Sequence, residues 1–148
     1  MKKNKVRAIA ICVFQNGDRI LAAEGFDEVK NQKFYRPLGG TIEFGEYSAE
    51  TVRRELMEEI QAEVSDLRYL GTLENIFSFN GENGHEIVLV YDGKFTDKAF
   101  YDKGILQGDE FGASFKAIWV DLREIGPDLP PLYPTGLAEL LHKSKSPV

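Results

Sequence analysis

The sequence predicts an α+β fold, a sandwich with a mixed β-sheet core and helices packed against it. Two observations carry that reading. Runs rich in Ile, Val and Phe stand before and after one strongly periodic helical segment, and a second short helical stretch follows near the end. Strands, helix, strands, helix is the order that segregated α+β layers produce. At 148 residues, with no internal repeat, low-complexity tract or linker-like stretch, the chain fits one domain spanning 1–148. That length buries roughly 70% of the unfolded surface.

Taken in order, Val6 to Gln15 reads as a buried strand, and Asn16-Gly17-Asp18 as a tight turn that returns the chain through Arg19 to Phe26. Asp27 to Lys33 is polar and reads as a surface loop. Phe34-Tyr35-Arg36-Pro37 then leads, extended, into Gly39 and Gly40. Thr41 to Phe44 alternates like a short strand, and Gly45 permits a turn that points Glu46 back at the helix. Tyr47 to Ala62 is predicted helical. It has no proline or glycine, and Ala49, Val52, Leu56 and Ile60 recur at steps of three and four.

Beyond the helix, Leu67 to Phe79 and Glu86 to Phe95 form a long hairpin around Asn80-Gly81-Glu82-Asn83-Gly84. Thr96 to Ser114, punctuated by Gly104, Gly108 and Gly112, reads as a loop able to close over a site. Phe115 to Val120, with the lone Trp119, is a further strand. Pro127 to Pro134 is a rigid, proline-rich connector, and Gly136 to His142 a short amphipathic helix.

Composition removes several classes of function. A net charge of −6 argues against general nucleic-acid binding, which needs a basic face. No apolar run approaches the ~20 residues that span a membrane. Met1-Lys2-Lys3-Asn4-Lys5 reads as a solvated arm and not as a signal peptide. The lone Cys12, between Ile11 and Val13, cannot form an internal disulfide, so it reads as a structural thiol of a reducing, cytoplasmic compartment.

The chemistry concentrates in residues 39–62. At about 3.6 residues per turn, Glu55, Glu58 and Glu59 share a helix face away from the apolar stripe. Three carboxylates that close repel one another unless something positive sits among them. Mg²⁺ is the natural occupant, because it prefers oxygen ligands and takes only a few from protein. The plain alternative is a solvated acidic face.

Gly40, five residues, Glu46, seven residues, Arg54-Glu55-Leu56, one residue, and Glu58-Glu59 resemble the signature of the Nudix hydrolases. Two positions depart from that signature: Gln61 stands where the family has glycine, and Ala62 where it has a bulky aliphatic. A left-handed helix cap is the conformation at stake, and neither change removes a candidate ligand. The resemblance implies the family's α/β/α sandwich and Mg²⁺-dependent cleavage of nucleoside diphosphates linked to another group, and it leaves Mn²⁺ open as a substitute. It further implies Glu55 and Glu59 as metal-side acids and Glu58 as a further ligand or base. A backbone carbonyl of Gly39 or Gly40 is then a candidate fourth oxygen, where the absence of side chains leaves room. Family members differ in which carboxylate takes the proton, so the base is left unassigned.

Other residues carry two readings each. Arg54 either pairs on the helix surface with Glu50 or Glu58, or, as the resemblance favours, orients Glu55 or Glu46. Glu46 suits the positive end of the helix dipole and reads as structural. Arg36 could grip a substrate phosphate or be a strand-edge arginine. Glu110 is a candidate to complete the metal site from the long loop. His85 reads as a solvated hairpin histidine, and His142 as a surface residue of the last helix. Phe34, Tyr35, Phe77 and Phe79 could stack a base or simply pack.

The substrate implied is a small nucleotide-type molecule, with no nucleic acid and no membrane as partner. Base and leaving group stay open, since the downstream proline and tyrosine marks of two subgroups are missing, as is any coenzyme A segment. Homodimers are common among related proteins, and no residue here fixes one. A nucleotide-sensing module without turnover, or a scaffold that docks proteins through its acidic helix, are the other classes. The retained carboxylates favour the enzyme.

Overall fold

The computed structural model describes residues 4–110, 112–126 and 128–144, so Met1 to Lys3 of the basic arm and Pro127 of the connector lie outside the described residues. The strands are β1 (Val6–Asn16), β2 (Arg19–Asp27), β3 (Gln32–Arg36), β4 (Leu38–Thr41), β5 (Val64–Phe79), β6 (Glu82–Phe95), β7 (Ile105–Glu110) and β8 (Ala113–Asp121). The helices are α1 (Ser48–Ile60) and α2 (Leu137–Ser144).

β1 lies at the centre. Ile9 to Phe14 are each at most 1% exposed, a run that requires cover on both faces. Even-numbered Ala10, Cys12 and Phe14 pack in one core with Val52, Leu56 and Ile60 of α1. Odd-numbered Ile9, Ile11 and Val13 pack in another with Leu137 and Leu141 of α2. Successive side chains of a strand face opposite ways, so the helices lie on opposite sides of the sheet. The result is an α/β/α sandwich. Truncating Leu56, fully buried in the first core, to alanine costs about 2–5 kcal/mol.

The strand order is β5-β6-β1-β2-β8-β7, with β3 on β2 and β4 on β1. β1 and β6 run parallel and the other named pairs antiparallel, so the sheet is mixed. β1 and β2 pair only beside their turn, at Gln15–Ile20 and Asn16–Arg19. Beyond that point they part. β4 takes the free edge of β1 from Ile9 to Cys12, and β3 takes that of β2 from Ala23 to Asp27. The split opens the cleft described below.

Several local expectations change. Thr96 to Ser114 is not one loop: it holds a short 3₁₀ turn at Lys98–Asp102 and then β7, which pairs with β8. The glycines there read as breakers, yet Gly108 lies in β7 because the Phe115 ring covers it from the neighbouring strand. Gln32 and Lys33 belong to β3 and not to a loop. The long hairpin turns tightly on Asn80 and Gly81, both at positive φ (51° and 83°), as a two-residue turn that follows strand twist demands. The short strand after Pro37 starts at Leu38 and ends at Thr41, three residues earlier than alternation suggests.

Candidate active site

The glycine pair of β4 is set by close approach. A Cβ on Gly39 would stand 2.1 Å from the carbonyl oxygen of Ala10, and one on Gly40 would stand 2.4 Å from Cδ of Glu55. Absence of side chains thus lets β4 lie against β1 and lets the Glu55 carboxylate rest on the Gly40 backbone.

α1 supplies the acids. The Glu50 carboxylate accepts from the Tyr47 amide (3.0 Å) at its start. At its end Gln61 takes the left-handed conformation (φ 56°, ψ 38°) and donates its amide to the Met57 carbonyl (3.0 Å). Glutamine thus performs the cap that the departure from glycine placed in question, at roughly 1 kcal/mol of backbone strain.

Carboxylate oxygens of Glu55, Glu59 and Glu110 lie within 4.8 Å of one another. Glu110 arrives at the end of β7, which packs against α1. Glu59 is only 6% exposed, and its Oε1 is buried with no hydrogen-bond partner. Burial first, then the Glu110 and Glu55 charges, push its carboxyl up to about 9, against a pull from the Gly39 backbone. Burial also raises Glu55, with Arg54 opposing. Glu58 lies outside this trio: its side chain is 59% exposed and touches Arg54 at 3.4 Å. Three hard oxygen donors, one of them buried and unpartnered, fit a divalent cation.

Arg54 is fully committed to protein. Its Nε donates to Glu46 Oε2 (2.8 Å), Nη2 to Glu46 Oε1 (2.9 Å) and the Thr41 carbonyl (3.0 Å), and Nη1 to Glu55 (2.9 Å) and Glu58 (3.4 Å). That engages every N–H of a guanidinium. Glu46 in turn accepts from the Thr51 hydroxyl (2.6 Å), and Arg54, then Thr51, lower its carboxyl to about 2. This clamp ties the chain ahead of α1 to Glu55.

Arg54, Glu55, Glu58, Glu59 and Glu110 line a cleft of about 810 Å³, which runs past β4 to Ile9, Ile11, Phe34, Arg36, Phe115 and Glu86. Arg36 does not point free into it: Nη2 donates to Glu86 Oε1 at 3.1 Å, and Glu86 is 2% exposed. Of the four aromatics weighed above, Phe34 is the one among the lining residues. Tyr35 is buried, Phe77 covers Gly84, and Phe79 packs edge-on to Phe34 at 5.8 Å. His85 is absent from the lining, and His142 borders a separate apolar groove beside α2. Cys12 is enclosed in the core, where burial pushes its thiol up. Arg7, Thr41, Glu86 and Phe115 also line the cleft and were not singled out by sequence reasoning. Only strand pairing brings them together.

No helix among the described residues is long and apolar enough to cross a membrane. The chain resembles the crystal structure of a MutT Nudix hydrolase from Burkholderia pseudomallei (TM-score 0.67, 18% identity, covering 96% of this chain and 100% of that one). It is similar to a UDP-X diphosphatase (TM-score 0.64, 16% identity, 97% and 64% covered). A MutT protein from Bacillus halodurans also matches (TM-score 0.58, 21% identity, 95% and 84% covered). At such identities these likenesses show the fold. The family model of the NUDIX domain matches residues 4–143, nearly the whole chain, and the chain belongs to the Nudix hydrolase family.

Proposed function

We propose that this chain hydrolyses a phosphoanhydride bond in a nucleoside diphosphate derivative or a nucleoside triphosphate, with Mg²⁺ as the working cation and Mn²⁺ as a substitute. The observation that carries the reading is the buried Glu59, whose unpartnered Oε1 lies in reach of Glu55 and Glu110. Three carboxylates this close cannot all be ionised at neutral pH without a cation, and family membership supplies the reason to keep them.

In this reading Glu55, Glu59 and Glu110 hold the cation, with a carbonyl of Gly39 or Gly40 beside them. Glu58, exposed at the mouth, adds a further carboxylate or accepts a proton. Arg54 positions Glu55 through its 2.9 Å contact, and Glu46 holds Arg54. Arg36 offers guanidinium N–H groups to a substrate phosphate. When bound, the cation makes a water acidic enough to attack at neutral pH and neutralises the diphosphate. Phe34 and Phe115, both lining the cleft, offer apolar surface to a nucleoside. The match over 4–143 supports one domain, and a free, buried Cys12 suits a reducing cytoplasm.

The test is phosphate release from a panel of nucleotides and nucleotide conjugates, with Mg²⁺ and with excess chelator, beside Glu59→Gln. Release from one class, stopped by chelator and reduced about 100-fold or more in the variant, is expected. Metal-dependent thermal stabilisation by a nucleotide with no turnover of any compound would replace this reading with a sensing module.

A further inference from the structure

The cleft is acidic almost throughout, lined by Glu24, Glu43, Glu55, Glu58, Glu59, Asp109 and Glu110 in a chain of net charge −6. Its cationic lining residues, among those described, are Arg7, Arg36 and Arg54. Arg54 has no N–H to spare, as shown above. Any strong donor to a substrate anion must therefore come from Arg7 or Arg36.

Those two meet on one buried carboxylate. Glu86 is 2% exposed, and its Oε1 takes Arg36 Nη2 at 3.1 Å while its Oε2 lies 3.7 Å from Arg7 Nη1. Arg7 stands directly beside Glu86 in the parallel β1–β6 register, and Arg36 reaches it from β3. Two guanidinium groups against one carboxylate leave one positive charge over. Their side chains stay 56% and 34% exposed, so the surplus faces the cleft. A buried acid fixes both heads in advance, which lowers the entropy lost when an anion binds.

The pair is also coupled to the carboxylate end. Arg7 Nη2 donates to the Thr41 hydroxyl, and the Thr41 carbonyl accepts from Arg54 at 3.0 Å. One threonine thus separates the guanidinium of Arg7 from the guanidinium that holds Glu55.

We propose that Arg7 and Arg36, held by Glu86, form a subsite for a phosphate group of the substrate other than those joined by the bond that is cleaved. This rests on the hydrolase reading and narrows its substrate class to nucleotide derivatives with a further phosphate, either in line or on the ribose.

The experiment is equilibrium titration at low salt with excess chelator, so that no metal-dependent turnover occurs. The probes are ADP, ATP and ADP bearing a 3′-phosphate, against the unmodified chain, Arg7→Gln, Arg36→Gln and Arg36→Lys. Each glutamine variant leaves Glu86 paired with the other arginine, so the buried acid is never orphaned, and melting temperatures check the fold. The unmodified chain is expected to bind at least one triply phosphorylated probe about tenfold tighter than ADP. That gain falls to within about twofold in both glutamine variants and survives in part in Arg36→Lys. A gain with ATP alone places the phosphate in line, and one with the 3′-phosphate alone places it on the ribose side. No gain with either probe, or a gain that persists in both glutamine variants, overturns the subsite. A phosphate gain without hydrolysis of any compound in Mg²⁺ would instead sink the hydrolase reading and leave the subsite standing.

Discussion

Gly40 and Glu55 compete for one volume: a methyl group on Gly40 would stand 2.4 Å from Cδ of Glu55 and 2.5 Å from its Oε1. Gly40→Ala therefore displaces a carboxylate. The expected result is a loss of about 10–100-fold in apparent Mg²⁺ affinity, with little change in melting temperature. Gly39→Ala behaves differently, because its neighbour is the Ala10 carbonyl at 2.1 Å, which is backbone of the central strand. That variant loses roughly 1–3 kcal/mol of stability. Thermal melts beside Mg²⁺ activation curves separate the two.

The Glu46–Arg54 clamp has a pH signature. Glu46 titrates near 2 in the folded chain, below its ordinary 4.5. A lowered carboxylate stabilises the fold above its ordinary value and stops doing so as pH falls through the folded one. The stability gap between the unmodified chain and Glu46→Gln is thus full at neutral pH and closes between about pH 4.5 and 2. Chemical denaturation across that range reads it directly. Arg54→Lys keeps the charge but loses the fork to both Glu46 oxygens, and activity should fall about 10–100-fold.

Glu59 runs the other way. Its carboxyl is raised to about 9, so the metal-free fold is most stable below the ordinary value of 4.5 and loses that contribution as pH rises through 9. A cation needs the ionised form, so saturating Mg²⁺ should raise the melting temperature more near pH 9 than near pH 6. Glu59→Gln should flatten the metal-free pH dependence. A melting temperature that rises with pH in chelator would contradict the burial argument.

Gln61 is the simplest stability test. Its φ of 56° is unfavourable for any residue with a Cβ, and Gln61→Gly should stabilise by about 0.5–1 kcal/mol, raising the melting temperature by roughly 2–4 °C.

Much of this molecule was legible because its signals are local. The stripe of Val52, Leu56 and Ile60 is a helical period, and all three are buried in the core under α1. The glycine pair stands out in the sequence as a source of backbone carbonyls, whereas its close contacts with Ala10 and Glu55 emerge only in the fold. β7 was not legible: its sequence, Ile105 to Glu110, has two apolar residues and a glycine, and it is a strand because β8 offers an edge. Glu110 therefore looked like a loop acid, although it lies beside Glu59. The pairing of Arg7 with Glu86 depends on parallel register between β1 and β6, which no local pattern encodes.

The most direct measurement is Mn²⁺ binding, followed by electron paramagnetic resonance, to the unmodified chain, Glu59→Gln and Glu110→Gln, with hydrolysis assayed in the same samples. The carboxylate trio predicts that each variant binds Mn²⁺ at least about tenfold more weakly and that hydrolysis falls with it. Undiminished Mn²⁺ affinity in both variants would contradict the assignment of the metal to Glu55, Glu59 and Glu110.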